Sequence, residues 1–139
     1  MFSMKNFRLK TVLVVLFVAI GFASCSNDDD KSPAPVTTKN ALATEVKGPA
    51  TGKVNVELSY DVTFMPETAC GEFSKFTDVT IGGVKGLQIE VKYPEVCTQQ
   101  VPTAKIAVYK FKSAVKGTFE IKFKKSETEF ITQKVVISE

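Results

Sequence analysis

The sequence predicts an all-β domain over residues 41–139, a two-layer antiparallel sandwich of about seven strands. Three observations carry this expectation. Apolar side chains recur at a period of two, the signature of strands with one buried and one wet face. Turn residues (Gly48-Pro49, Met65-Pro66, Gly82-Gly83, Pro94, Gly117) interrupt the alternation at regular spacing. No stretch of this span has a helical period, and a run of short strands separated by turns closes a core most simply as two packed sheets.

In chain order, residues 42–47 read as a first strand ended by Gly48-Pro49. Val54, Val56, Leu58, Tyr60, Val62 and Phe64 then alternate with polar residues and predict one long strand over 54–64. A strand over 72–81 follows, where Phe73 and Phe76 break strict alternation and suggest a bulge. Gly82-Gly83 predicts a two-residue hairpin, and Leu87, Ile89, Val91 and Tyr93 define the return strand, which ends at Pro94. Residues 103–112 are apolar on both faces, which suits a central strand or a bulge. Phe119, Ile121 and Phe123 mark the sixth strand, and residues 130–137 the last.

The N-terminus obeys different rules. Lys5, Arg8 and Lys10 precede an apolar run over 11–22, too short for the roughly 20 residues that a membrane-spanning helix needs. The run ends in small residues, so residues 1–24 read as a cleaved targeting segment. The 18 basic residues less the three of this leader equal the 15 acidic ones, so the processed chain is nearly neutral and has no charge with which to bind nucleic acid. Residues 26–40 are rich in Asp, Ser, Thr and Pro and predict an extended tether, since such a composition does not repay the entropy of ordering.

Phe22-Ala23-Ser24-Cys25 resembles the lipobox of bacterial lipoproteins. The resemblance implies a signal peptide over 1–24, a lipidated Cys25 and a flexible tether over 25–40 ahead of the domain. Each buried methylene contributes about 0.8 kcal/mol, so two or three acyl chains on Cys25 would hold the protein on a membrane permanently. Asp28, Asp29 and Asp30 after Cys25-Ser26 are similar to the export signal of Bacteroidota surface lipoproteins, which implies an outer-membrane protein facing outward, with the periplasmic face as the alternative. Residues 114–121, with Gly117, Phe119 and Ile121, and the Gly48-Pro49 exit resemble bacterial immunoglobulin-like modules, although the core tryptophan of antibody domains is absent. Cys70-Gly71-Glu72-Phe73 with a second cysteine beyond a tyrosine-bearing strand is similar to small Bacteroidota lipoproteins, a group that brings no activity with it.

With Cys25 assigned to lipid, Cys70 and Cys97 remain, and in an oxidising compartment a small domain tends to pair such cysteines. A metal role is not expected, because the chain has no histidine to complete a zinc site, and no cofactor-binding motif is present. The missing histidine also excludes imidazole-based triads. Glu57 with Asp61 and Glu72 with Glu90 are the carboxylate pairs that a hydrolase would need, but each sits on the polar face of a strand. Lys110, Lys112, Lys116, Lys122, Lys124 and Lys125 crowd one hairpin and read as solubilising charge, with a patch for an anionic glycan or lipid head groups as the alternative. Recognition is expected instead at two polar loops joined by the cysteines: Met65, Glu67 and Thr68 on one side, Glu95, Thr98, Gln99 and Gln100 on the other. The expected function is a non-enzymatic, lipid-anchored binding or accessory module contacting an envelope protein or extracellular glycan. The alternatives are a structural subunit or spacer of an envelope assembly and, behind it, a carboxylate-based hydrolase.

Overall fold

Nine strands build the domain: β1 (Val36–Ala41), β2 (Ala43–Lys47), β3 (Thr51–Lys53), β4 (Leu58–Phe64), β5 (Glu72–Ile81), β6 (Val84–Pro94), β7 (Lys105–Phe111), β8 (Gly117–Lys124) and β9 (Phe130–Ser138). The structure is a computed structural model that describes residues 34–98 and 101–139. The leader, Cys25, the acidic tract, Gln99 and Gln100 lie outside the described residues. Among those described there is no helix, and the strands form two sheets, of six and three strands.

The small sheet runs β2-β4-β7, antiparallel throughout. In the large sheet β5 pairs with β6 along almost its whole length. A strand has only two edges, so β1, opposite residues 89–94, and β8, touching β6 only at Leu87↔Phe123, share the other one. β8 continues into β9, and β3 closes the sheet in parallel beside β9.

The core fills the space between the sheets. Tyr60, Val62 and Phe64 of β4 are fully buried against Ile89 and Val91 of β6, Phe123 of β8 and Val135 of β9. Phe73, Phe76, Tyr109 and Phe123 extend it as a chain of tilted and edge-to-face rings, with centroids 4.9–5.9 Å apart. That is the range in which ring quadrupoles attract. The break in alternation at Phe73 and Phe76 is a register shift between Phe73 and Lys75, as a bulge requires. Gly82 and Gly83 have φ of 56° and 80°, so the hairpin turn is the left-handed type for which glycine is suited.

Four sequence expectations are corrected. There are nine strands rather than about seven. Residues 36–40, assigned to the tether, belong to β1: its side chains are exposed up to Asn40, so it is held by backbone pairing to β6 and leaves no apolar pattern. Only Leu58–Phe64 of the long strand expected over 54–64 is strand, because residues 54–57 are the turn by which the chain leaves β3 (Thr51–Lys53) and changes sheets. Asn55 adopts φ 62°, Val54 donates its N–H to the Ser138 carbonyl and Asn55 to that of Ser113, so β3 lies in the large sheet and β4 in the small one. Finally, β7 is neither central nor bulged. It is a regular edge strand whose second apolar face, Ile106 and Val108, is open to solvent.

Candidate functional site

The two cysteine-bearing loops meet at one end of the sandwich. Cys70 and Cys97 form a disulfide with their Cα atoms 5.9 Å apart. β1 begins at this end, since Val36 pairs with Pro94, and β4 and β6 both finish there. The chain that precedes the domain therefore enters beside the disulfide.

Around the bridge the 65–71 loop is fixed from three sides. Pro66 is fully buried, and a side chain on Gly71 would lie 2.6 Å from Pro66 Cβ and 2.7 Å from Tyr93 Cε1, so only glycine fits. The Glu67 backbone N–H donates to Tyr93 Oη at 2.9 Å. Lys105 reaches back from the start of β7 and donates to the carbonyls of Ala69 (3.2 Å) and Gly71 (2.6 Å). Gly71 N–H closes a turn onto the Thr68 carbonyl at 3.0 Å. Outside this frame Lys39 pairs with Glu67 at 2.5 Å, and the carboxylate holds the ammonium pKa above its ordinary value.

The predicted recognition residues are thus partly assembled. Met65, Glu67, Glu95 and Thr98 are exposed, Thr68 is half-buried, and the disulfide brings their two loops together. Beside it a concavity of about 360 Å³ is lined by Val36, Cys70, Glu72, Lys92 and Pro94. Of these lining residues the sequence singled out Cys70 as a bridge cysteine, Glu72 as a polar-face carboxylate and Pro94 as a strand end, but not Val36 or Lys92. Glu72 and Lys92 are cross-strand partners, a placement that needs the β5–β6 register, and Val36 enters only because β1 exists. Tyr93 was legible as the last inward position of its strand, but its hydroxyl contact crosses 26 residues of chain.

The other candidates are dispersed. Glu57 is paired with Lys110 at 2.8 Å. Glu90 accepts a hydrogen bond from Ser74 at 3.0 Å. Among the described residues no group of three or more His, Cys, Asp or Glu side chains gathers as metal ligands would. Four of the six crowded lysines sit in ion pairs, Lys110 with Glu57, Lys116 with Glu139, Lys122 with Glu120 and Lys124 with Glu127, so the patch carries little net field.

A second concavity, of about 220 Å³, was not legible in the sequence. β6 and β8 meet at one residue pair and then part, and Leu87, Ile121, Tyr109 and Phe111 line the gap with Asp78 and Lys85 at its rim. Burial, aided by Asp78, raises the Tyr109 phenol above its ordinary pKa. No protein-family model matches this chain, and the searches of curated proteins and of solved structures likewise found no match.

Proposed function

We propose that the chain is a lipid-anchored lipoprotein of the bacterial cell envelope, held on the outer membrane through Cys25 and facing outward, in the manner of the Bacteroidota lipoproteins that its N-terminus resembles. Its sandwich serves as a non-enzymatic binding or accessory module. The observation that carries this reading is the Cys70–Cys97 disulfide, which fits an oxidising compartment and turns two polar loops into one rigid surface.

The length of the tether sharpens the reading. Val36 follows Cys25 by 11 residues, a contour of at most roughly 40 Å. A tether of that length would keep the domain near the membrane surface, which suits a partner in the envelope better than a free glycan beyond it.

The test is metabolic labelling with a palmitate analogue, followed by membrane fractionation and protease shaving of intact cells. Label and membrane retention in the wild type, both lost in Cys25→Ala, support the anchor, and cleavage by external protease supports outward display. An unlabelled, freely soluble wild type would refute the anchor, and complete protection from protease would place the domain on the periplasmic face. A second reading, a structural subunit, is favoured by one observation, the solvent-facing Ile106 and Val108 on an edge strand.

A further inference from the structure

The sheet edges among the described residues are not alike. β3 has three residues, β2 and β5 each carry a register shift next to charged side chains, and β1, an edge of six residues in unbroken register, presents Thr37, Thr38, Lys39 and Asn40 rather than an apolar face. Short edges, bulges and charge are the devices that keep strands from pairing with another chain. β7 lacks them: it is seven residues long, in unbroken register with β4, and its outer edge has no partner strand.

Its two lysines do not guard it. Lys105 is turned back onto the carbonyls of Ala69 and Gly71, and Lys110 is paired with Glu57. Between them Ile106 is 62% and Val108 49% exposed.

We propose that β7 is a pairing edge for a second copy of this chain, the two strands meeting antiparallel about a twofold axis at Val108. Val108 is the midpoint of Lys105–Phe111, so this register uses the whole strand. It sets Val108 against itself, Ala107 against Tyr109, Ile106 against Lys110 and Lys105 against Phe111. No like charges meet, and the aliphatic stem of each Lys110 covers the partner's Ile106 while its ammonium stays with Glu57 at the rim. The small sheet of three strands becomes a continuous sheet of six across the pair.

The test uses the full chain, purified in detergent. Residues directly opposite in an antiparallel pair have Cβ atoms about 4.5–5.5 Å apart, close to disulfide geometry. Val108→Cys is therefore expected to give a species of twice the mass under mild oxidation. Thr63→Cys, on the outer face of the neighbouring β4 and separated from its counterpart by at least three strand spacings of about 4.8 Å, is expected to give none. In sedimentation the wild type is expected to dimerise, and the Ile106→Lys/Val108→Lys variant to associate at least tenfold more weakly, because it sets lysine against lysine at the centre of the seam.

Both substituted side chains face solvent, so circular dichroism should be unchanged. A wild type that stays monomeric at every concentration, equal cross-linking through Thr63→Cys, or a double variant that dimerises like the wild type would each overturn the proposal. So would a Val108→Cys adduct with a chain of different mass, which would identify β7 as the edge for another protein.

Discussion

Tyr60 lies across the core with its ring over Gly48 and sends its hydroxyl to the Pro49 carbonyl, 2.9 Å away. Tyr60→Phe keeps the ring and leaves that carbonyl unpaired. It is expected to cost about 1 kcal/mol, read as a lower denaturant midpoint at unchanged slope. Gly86 plays the converse part, since a Cβ there would lie 2.4 Å from Phe130 Cε1. Gly86→Ala should destabilise by about 1–3 kcal/mol, and most of that loss should vanish when it is made in a Phe130→Ala background, a non-additivity that a double-mutant cycle measures. Tyr109 gives a pH signature. Its pKa is raised in the folded chain, chiefly by burial and further by Asp78. Its contribution is therefore fully present below the unfolded value near 10 and is lost as pH rises from there through the folded pKa. Unfolding midpoints should fall in that alkaline window, and less steeply in Tyr109→Phe, although Tyr60, also raised by burial, keeps part of the slope.

At the scale of elements the loops at the disulfide are the place where small changes spread. The bridge spans 27 residues of chain, and Cys70→Ser/Cys97→Ser is expected to lower stability by about 3–4 kcal/mol through the released denatured ensemble. Lys105→Met should leave the strands intact and free the 65–71 loop, seen as faster proteolysis near Thr68 and faster amide exchange at Gly71. These elements also show what the sequence can carry. Alternation located β4, β5, β6, β8 and β9 because their inward side chains are the core, and the glycine pair located the hairpin because two residues with positive φ leave few alternatives. β1 was illegible for the opposite reason: backbone pairing to β6 holds it, with no periodic side-chain burial. The break between β3 and β4 was hidden because Val54, in the turn after β3, and Leu58, at the start of β4, both pack on the core, so period two survives a change of layer. The disulfide was legible from cysteine count and the compartment expected from the N-terminus, whereas the concavities depend on register and on the parting of β6 from β8, which no local pattern encodes.

For the molecule as a whole, two ends differ in character. One has the disulfide, the buried Pro66 and the entering chain. The other has the Gly82-Gly83 turn and the Ser113 turn, in which the hydroxyl accepts from the Val115 N–H at 3.2 Å and donates to its carbonyl at 2.8 Å. Between them Ala41 is buried in the last position of β1 and Ala43 in the first of β2, so the chain passes from the large sheet to the small one across the single residue Leu42. This crossing bears on mechanics. A pull on the chain ahead of Val36 runs along β1 and loads its six residue pairs with β6 together, in shear, instead of peeling them one at a time. Because β1 continues through Leu42 into β2, the same tension passes into both layers, and a domain pulled through the chain ahead of Val36 would resist as one body.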